Sequence, residues 1–299
     1  MSLNLHLLRL FESVARHQSF SRAAEALHVS QPAVSKGVRE LEAQLGTPLL
    51  ERGPGGVRPT EAGRILLVHA RTVFSAEQAA EDALGALRGL RGGTLRIGAS
   101  TTIATYFLPP LLGAFHRAYP DVDLRLTSAN TVTVADLLMR RELDVALVEG
   151  PLDPGEILVQ PWREDELVFI AAANHPLASR PGPLPLKALA DETIVLREPG
   201  SGTRDTAWNA LAQAGFTPRR ILEIGGNEVI IRVVAAGLGI GILSAVAVAD
   251  QEALGRLRTL PVAGITIRRL LTRLVLPNRQ PSPATVAFDR LLDGQQTKI

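Results

Sequence analysis

Residues 19–46, SFSRAAEALHVSQPAVSKGVRELEAQLG, contain two helical patterns that are separated by a break of only a few residues. Ser21 is a suitable N-cap for a first short helix, because a serine hydroxyl accepts a hydrogen bond from a free N–H of the first turn. After His28 and Val29 interrupt the pattern, Ser30 can cap a second helix with Pro32 in its first turn. So short a break limits this region to two helices that pack directly against each other.

The second of these helices has two different faces. Its apolar residues recur at steps of four, three and four, which predicts a buried stripe. Another helical pattern, over residues 5–17, predicts an amphipathic helix that precedes the pair. Three short helices should therefore pack together, and the last should expose a polar, basic surface. The buried stripe consists of Val34, Val38, Leu41 and Leu45, and Gly46 is the expected terminator.

A β-hairpin and a long helix are predicted next. Residues 49–58, LLERGPGGVR, place apolar residues on both sides of a glycine–proline turn. Thr60 can cap the helix that follows, although the capping box is incomplete because Gly63 stands at its fourth position. Apolar residues then alternate at steps of four and three, which predicts a coiled-coil seam for pairing with a second chain. The alternative is a helix that packs on its own domain. The seam consists of Ala62, Leu66, His69, Val73, Ala76, Ala80, Ala83, Leu87 and Leu90.

The pattern changes after residue 93, where short apolar strands begin to alternate with helices. This alternation predicts an α/β fold with mainly parallel sheets. A break at residues 162–166 is interpreted as a loop containing Glu164, Asp165 and Glu166, and it predicts two lobes. The chain is expected to return to the first lobe near Gly264. Lobe I would comprise about 92–164 and 264–299, and lobe II about 165–263.

The composition restricts the function classes. The chain has no cysteine, which removes disulfide scaffolds, thiolate metal sites and cysteine nucleophiles. Its six histidines form no metal-binding spacing such as H-E-x-x-H, and its acidic residues are scattered over helix surfaces. The first residues lack signal-peptide features, and no uncharged run approaches the roughly 18 residues of a membrane span. We therefore expect a cytoplasmic protein that is not an enzyme and has no metal, cofactor or membrane contact.

The helix pair is typical of a helix-turn-helix, in which a short helix supports a second one that enters the ~12 Å major groove of DNA. Gln31 is suited to adenine, Ser35 is adaptable, and Lys36 can contact guanine or a phosphate. Arginines farther along this helix and on the hairpin are expected to hold the DNA backbone. The alternative is a helix pair that serves only packing. The predicted DNA-binding residues are Ser30, Gln31, Pro32, Ser35, Lys36, Arg39, Arg52 and Arg58.

Several of the later strands are followed at once by small hydroxyl or amide residues and a helix start. Open α/β sheets bind ligands at the carboxyl ends of their strands, and helix N-termini favour anions. Ordinary helix capping is the alternative for each segment taken alone. Together they predict a pocket for an anionic metabolite, with Arg204 as a fixed cation. Its candidate residues are Ser100, Thr101, Thr102, Ser128, Asn130, Thr131, Gly202, Thr203, Arg204 and Asn227.

The segment SFSRAAEALHVSQPAVSKGVRELEAQLGTPLLERGPGGVRPTEAG resembles the winged helix-turn-helix of LysR-type transcriptional regulators. It contains their S-x-S-x-A-A-x-x-L, S-Q-P-A-x-S, L-E-x-x-L-G-x-x-L-x-x-R and T-E-A-G patterns. The resemblance implies a DNA-binding domain (1–60), a linker helix that dimerises the chains (61–91) and an effector-binding domain (92–299). That last domain would have two α/β lobes similar to type 2 periplasmic solute-binding proteins.

The same resemblance implies partners and a branch of the family. The partners would be double-stranded DNA, a small-molecule effector, a second chain in a homodimer that assembles into a homotetramer, and RNA polymerase. The segment from Asn130 through LDVALVEGP, together with EPGSGTR, is similar to the branch that controls carbon-fixation or sulfur-assimilation genes.

Two residues depart from the family pattern in the predicted recognition helix. Gly37 stands where members usually have a larger polar side chain, which should cost about 0.5–1 kcal/mol and remove a DNA contact. Lys36 replaces the arginine of many members, so bidentate guanine recognition is not expected.

The competing interpretation is a solute-binding protein or an enzyme built on the same α/β lobes. A separate helical module precedes the lobes without an export signal, which favours the regulator.

Overall fold

A computed structural model describes residues 3–53, 56–86, 92–152, 157–277 and 279–294. The chain divides into two compact units, Met1–Glu81 and Asp82–Ile299, which we describe separately. The first contains the helices α1 (Leu5–His17), α2 (Phe20–Ala26) and α3 (Gln31–Leu45), and the start of α4 (Glu61–Ala86). Its strands are β1 (Leu50–Gly53) and β2 (Gly56–Pro59), which form an antiparallel hairpin.

Side-chain caps define where the short helices begin. Ser30 accepts from the N–H of Ala33 at 3.4 Å, as expected, and Gly46 ends α3 in the left-handed conformation with φ 67°. Thr60 likewise accepts from the N–H of Gly63 at 3.0 Å. The predicted N-cap at Ser21 is wrong. Ser19 caps α2 instead, because its extended backbone directs Oγ towards the N–H of Arg22, 3.4 Å away.

Gly37 faces the interior of this unit rather than its surface. It is buried, and a Cβ at this position would overlap Cδ1 of Leu10 and lie 3.4 Å from Cδ2 of Leu7. The expectation that Gly37 occupies a DNA-contact position is therefore wrong. Its missing side chain lets α3 approach α1 closely, which offsets the low helix propensity of glycine.

The long helix α4 presents one apolar side to its own unit. Leu67 and Ala70 are buried in the core formed by α1, α2, α3 and the hairpin. Ala62 and Leu66 are half-buried against this core, as in the alternative of a helix that packs on its own domain, and the pairing of the seam with a second chain stays a prediction. Ile65 and Val68, one helical turn apart, are instead 61% and 62% exposed. Leu87 and Leu90 lie outside the described residues, and so does the side chain of Ala83.

The second unit consists of alternating strands and helices around one large sheet, with a separate two-stranded parallel pair. Its helices are a π-helix (Ile103–Phe107), α5 (Leu108–Ala118), α6 (Thr131–Met139), α7 (Gly202–Gln213), α8 (Asn227–Ala235), α9 (Ala245–Ala253) and α10 (Pro283–Asp293), with 3₁₀ turns at Pro176–Ser179 and Leu186–Leu189. Its strands are β3 (Thr94–Ser100), β4 (Asp123–Ala129), β5 (Val145–Glu149), β6 (Leu158–Ala172), β7 (Leu184–Pro185), β8 (Thr193–Arg197), β9 (Arg220–Ile224), β10 (Ile240–Ser244), β11 (Leu257–Leu260), β12 (Val262–Ala263) and β13 (Ile267–Val275).

Two long strands join a pair of parallel sheets. The strand order is β4-β3-β5-β13-β6-β10-β8-β9, and β11 also pairs with β6. β3, β4 and β5 are parallel in lobe I, and β8, β9 and β10 are parallel in lobe II. β6 and β13 run antiparallel to each other and link both lobes. The predicted two-lobed α/β architecture is confirmed.

The expected loop at residues 162–166 is wrong, because this segment lies inside β6. Trp162 and Asp165 are buried and Glu164 and Glu166 are exposed, so the acidic run follows the alternation of a strand with an irregular register near Trp162. The sequence pattern also missed β7, β11, β12 and α9.

In each lobe, helices cover both faces of the sheet. Lobe I has α5 and α10 on one face and α6 on the other, while lobe II has α7 on one face and α8 on the other.

Two glycine-to-alanine exchanges should have opposite effects on stability. A Cβ at Gly63 would overlap the backbone carbonyl of Leu49, whereas Gly113, inside α5, has only the Arg117 guanidinium nearby, at 3.5 Å. Gly63→Ala should lower the free energy of unfolding by about 1–3 kcal/mol through overpacking. Gly113→Ala should raise it by about 0.5–1 kcal/mol through helix propensity. Differential scanning calorimetry of the full chain measures both, and a stabilised Gly63→Ala protein would contradict the packing described here.

Candidate DNA-binding surface and effector site

The side chains predicted to bind DNA lie mostly on one exposed part of the first unit. Lys36 and Arg39 are exposed on α3, Arg58 is exposed on β2, and Ser35 is half-buried. Ser30, Gln31 and Pro32 are exposed at the N-terminal end of α3. Arg52 pairs through its backbone with Val57, and its side chain lies outside the described part of the chain.

Local contacts hold α3 and the hairpin in a fixed relation. The carboxylate of Glu42 accepts from the N–H groups of Leu49 and Leu50 at 2.8 and 3.2 Å, so α3 anchors the strand that starts the hairpin. Arg39 donates from Nε to the carbonyl of Ser35 at 3.2 Å, which directs its side chain back along α3. Sequence reasoning missed the role of Glu42, although this residue lies inside the L-E-x-x-L-G pattern. A helix that exposes Lys36 and Arg39 beside a braced hairpin is suited to a DNA groove and its flanking phosphates.

In the second unit, most predicted effector residues come together where the two lobes meet. Five of them are at least 98% buried: Ser100, Thr102, Thr131, Thr203 and Asn227. Ser100, Thr102 and Thr131 belong to lobe I, and Thr203 and Asn227 begin α7 and α8 of lobe II. Asn227 donates from Nδ2 to Oγ1 of Thr102 at 3.1 Å, a direct hydrogen bond between the lobes. We call these five residues, together with the buried charged residues Glu149, Asp165, Arg197 and Arg269, the inter-lobe cluster.

A buried carboxylate lies at the centre of the inter-lobe cluster. Glu149 ends β5 and accepts hydrogen bonds from Oγ of Ser100 and, at 3.4 Å, from Oγ1 of Thr203. Thr131 donates to the Glu149 carbonyl at 2.9 Å. Burial raises the pKa of Glu149, while Arg269 and Arg197 act in the opposite direction.

The crossing strands β6 and β13 supply an ion pair next to Glu149. Arg269 on β13 donates from Nε to Oδ2 of Asp165 on β6 at 2.8 Å, and its Nη1 donates to Oγ1 of Thr203 at 2.8 Å. The same Nη1 lies 3.5 Å from Oε1 of Glu149. Ser244 donates to Asp165 at 2.7 Å. Arg269 therefore connects both crossing strands with the N-terminus of α7.

A second buried guanidinium, that of Arg197, ends β8. Its Nη1 donates to Oδ1 of Asn227 at 2.7 Å, and its Nη2 donates across the lobes to Oγ1 of Thr101 at 3.4 Å. Glu198 accepts from Nε and Nη2 at 2.7 and 2.8 Å. Partial burial acts to raise the pKa of Glu198, but the hydrogen bonds and charge of Arg197 outweigh it and hold that pKa below its usual value. Glu198 is therefore ionised at neutral pH.

Glycines bring the backbones of the two lobes into contact. A Cβ at Gly202 would overlap the carbonyl of Glu149, and a Cβ at Gly150 would lie 2.5 Å from Cα of Gly202. Gly150 also has a φ of 84°, which side chains rarely adopt. The N–H of Val132 donates to the carbonyl of Gly200 at 3.3 Å. Neither Gly150 nor Gly202 therefore tolerates a side chain.

Three predicted effector residues are not part of the inter-lobe cluster. Ser128 is exposed at the end of β4. Asn130 caps α6 by accepting from the N–H of Thr133 at 2.9 Å, and its Nδ2 lies beside Gly200 of lobe II. Arg204 pairs with Glu223 at 2.8 Å and lies over the ring of Trp208, so it is not the cation of the inter-lobe cluster.

Sequence reasoning missed the four charged residues that dominate the inter-lobe cluster. For Glu149, Arg197 and Arg269 the available signal was a charge at the end of, or inside, an apolar strand, as in VALVEG, TIVLREPG and IRRLL. Such charges are almost never fully buried unless they are paired. The four are Glu149, Asp165, Arg197 and Arg269.

The part of the chain that the structure describes contains neither a metal cluster nor a membrane-spanning helix. No cluster of three or more His, Cys, Asp or Glu side chains there is arranged to bind a metal ion. None of the helices in the described part of the chain combines the length and apolar character that crossing a membrane requires.

Known proteins resemble this chain over its whole length or over more than two thirds of it. It is 36% identical over 299 residues to a RuBisCO operon transcriptional regulator of Allochromatium vinosum, covering 100% of this chain and 98% of the relative. A full-length OxyR variant of Pseudomonas aeruginosa has a TM-score of 0.79, 27% identity and coverage of 100% of this chain and 99% of its own. The CcmR regulatory domain of Synechocystis PCC6803, solved in complex with 2-PG, has a TM-score of 0.63 and 33% identity, covering 69% of this chain and 99% of that domain.

Two family models match the two parts of the chain. The model of the bacterial regulatory helix-turn-helix protein, lysR family, matches residues 5–64, and the model of the LysR substrate binding domain matches residues 88–296. The chain therefore belongs to the LysR family of DNA-binding transcriptional regulators, with an effector-binding domain after its helix-turn-helix.

Proposed function

We propose that this protein controls carbon-fixation genes in response to a small phosphorylated acid that binds at the inter-lobe cluster. The observation that carries the proposal is the convergence of buried hydroxyls and two guanidiniums, from both lobes, at the carboxyl ends of β3, β5 and β8. This is where open α/β sheets bind ligands. The names of the relatives favour the carbon-fixation branch over sulfur assimilation.

The chemistry of the inter-lobe cluster suits an anionic effector. Arginine binds carboxylate and phosphate through two parallel hydrogen bonds, and hydroxyls can donate to the remaining oxygens. The related CcmR domain, with 2-phosphoglycolate bound, supports a phosphorylated ligand. The proposed binding residues are Ser100, Thr101, Thr102, Thr131, Thr203 and Asn227, joined by Arg197, while Arg269 holds the Thr203 hydroxyl in place. We assign the cluster to binding alone and not to catalysis.

Binding would act by shifting a population. A ligand that contacts both lobes favours the lobe arrangement in which both sets of contacts form. The DNA-binding domain would comprise residues 1–60, the linker helix 61–91 and the effector-binding domain 92–299. The protein would act in the cytoplasm, where its DNA targets lie, and would contact RNA polymerase there.

Exchange of Thr102 should separate effector binding from DNA binding. Thr102→Val removes a buried hydroxyl that joins the lobes, so affinity for 2-phosphoglycolate should fall about tenfold or more. Operator affinity in the absence of ligand should remain unchanged. Ligand-induced thermal shift and fluorescence anisotropy measure the two quantities. Thr127→Val, at an exposed position on β4, is the control. Equal loss of both activities in Thr102→Val would argue against a pocket role.

The exposed end of α3 would read DNA. Two copies related by a two-fold axis would place their α3 helices in successive major-groove half-sites of an imperfect palindrome. Gln31, Ser35 and Lys36 would contact bases, while Arg39, Arg52 and Arg58 would contact phosphates.

Lys36→Ala tests base recognition. If Lys36 contacts a base, its loss should weaken binding to an operator selected from random duplexes by about 1–3 kcal/mol and hardly change binding to unrelated duplexes. Lys187→Ala, which removes an exposed lysine from the other compact unit, is the matched control. Anisotropy titrations at several salt concentrations provide the measurement. Equal weakening on all sequences, with a reduced salt slope, would assign Lys36 to phosphate instead.

The exposed apolar side of α4 would bind a second copy of the chain. Ile65 and Val68 are exposed on a helix whose opposite side is already packed in its own unit. Burial of such side chains is worth roughly 1.5–3 kcal/mol each. We therefore propose a homodimer through α4, and a homotetramer in accordance with the family resemblance.

Charges on this side of α4 should dissociate the dimer. Ile65→Glu combined with Val68→Glu would place carboxylates in an apolar interface, so sedimentation velocity should show a smaller species. Leu254→Glu changes an equally exposed leucine at the end of α9 and serves as the control. Dimerisation through α4 would be refuted by identical sedimentation of the double variant and the unchanged protein.

A further inference from the structure

The two buried arginines of the inter-lobe cluster differ in how firmly their carboxylate partners are held. Arg269 is paired with Asp165 and Glu149, whose side chains are both only 2% exposed. Arg197 is paired with Glu198, whose side chain is 29% exposed, although the Arg197 side chain is only 2% exposed. Glu198 can therefore turn into solvent, whereas Asp165 and Glu149 cannot leave without further rearrangement. Of the two guanidiniums, that of Arg197 is thus the one whose carboxylate partner lies partly in solvent.

Glu198 covers the edge of the Arg197 guanidinium to which an effector anion would bind. Its two oxygens accept from Nε and Nη2, which is the two-bond geometry that carboxylate and phosphate ligands use. A backbone hydrogen bond from Gly226 also stabilises the charged form of Glu198. The remaining side of Arg197 is held by Asn227, which leaves the edge covered by Glu198 as the exchangeable one.

We propose that Glu198 is a built-in competitor of the effector: it holds Arg197 in the ligand-free protein and must be displaced when the anionic group of the effector binds. This inference rests on the proposed inter-lobe effector site and adds the residue that sets its threshold and selectivity. Exchange of one anion for another keeps Arg197 paired throughout, so no bare charge is left buried.

The competition selects for phosphate over carboxylate. A monocarboxylate ligand would replace a tethered carboxylate with an untethered one of equal charge, so it gains nothing at Arg197. A phosphate monoester carries a charge of about −1.5 to −2 at neutral pH and has three acceptor oxygens. Its additional charge strengthens the pairing, and its third oxygen can accept from the Thr101 hydroxyl, which lies 3.4 Å from Nη2 of Arg197.

The exchange also couples binding to the lobes. Glu198 is held by the Arg197 side chain and by the backbone of Gly226, and both residues belong to lobe II. An anion held by both Arg197 and Thr101 would contact lobe II and lobe I together. Replacing Glu198 with such a ligand therefore transfers one strong contact from within a lobe to between the lobes, which gives differential affinity for one lobe arrangement.

Calorimetric titration of the full chain with 2-phosphoglycolate, glycolate and inorganic phosphate tests the proposal. Glu198→Gln should bind inorganic phosphate about tenfold more tightly than the unchanged protein, and its preference for 2-phosphoglycolate over glycolate should shrink. Glu223→Gln is the matched control, since Glu223 pairs with Arg204 in the same lobe outside the inter-lobe cluster. Its affinities should remain within about twofold.

A second variant keeps the test decisive if Glu198→Gln misfolds. Glu198→Asp retains the charge with a shorter reach, so its phosphate affinity should lie between those of the unchanged protein and Glu198→Gln. Unchanged or weaker phosphate binding in both variants would overturn the proposal.

Failure of the proposed effector class has a different signature. In that case 2-phosphoglycolate binds none of the proteins. Phosphate binding that appears in Glu198→Gln alone would then still support the competition, and its absence there would contradict it.

Discussion

The buried ion pair between Arg269 and Asp165 is the interaction on which the arrangement of the two lobes depends. Arg269 stands on one crossing strand and Asp165 on the other, and both side chains are almost completely removed from water. Removal of one partner from a buried pair costs on the order of 3–5 kcal/mol, because the other charge is left uncompensated. The pair is thus a strong constraint on the register of β6 and β13. Its bonds to Thr203 and proximity to Glu149 extend that constraint to both lobes.

Because of this constraint, the ion pairs of Arg269 and Arg197 have different roles in the inter-lobe cluster. The Arg269 side is closed: its carboxylates are buried, and Gly150 and Gly202 bring the lobe backbones into contact beside it. The Arg197 side is adjustable, because its carboxylate reaches solvent and its inter-lobe hydrogen bond to Thr101 is long. A hinge region held by one ion pair and a binding region controlled by another would let a ligand change the lobe arrangement without disrupting the fold.

Local features of the fold were predictable from the sequence, and features that depend on distant partners were not. Ser30, Thr60 and Gly46 act as expected because helix caps depend on a few neighbouring residues. Gly37 was misinterpreted because only the position of α1 reveals that this face of α3 is buried. The acidic run at 164–166 has the composition of a loop, and only its pairing with β13 makes it a strand. The hydroxyls of the inter-lobe cluster were predictable because they directly follow strands in the sequence. Its buried charges were not, because their burial depends on partners far along the chain.

The most direct measurement of the central claim is a crystal structure of the full chain grown with 2-phosphoglycolate. The account predicts the ligand in the inter-lobe cluster, with its phosphate hydrogen-bonded to the Arg197 guanidinium and the Thr101 hydroxyl, and with the Glu198 side chain turned towards solvent. A ligand bound outside the inter-lobe cluster, or bound there with Glu198 still paired to Arg197, would contradict it.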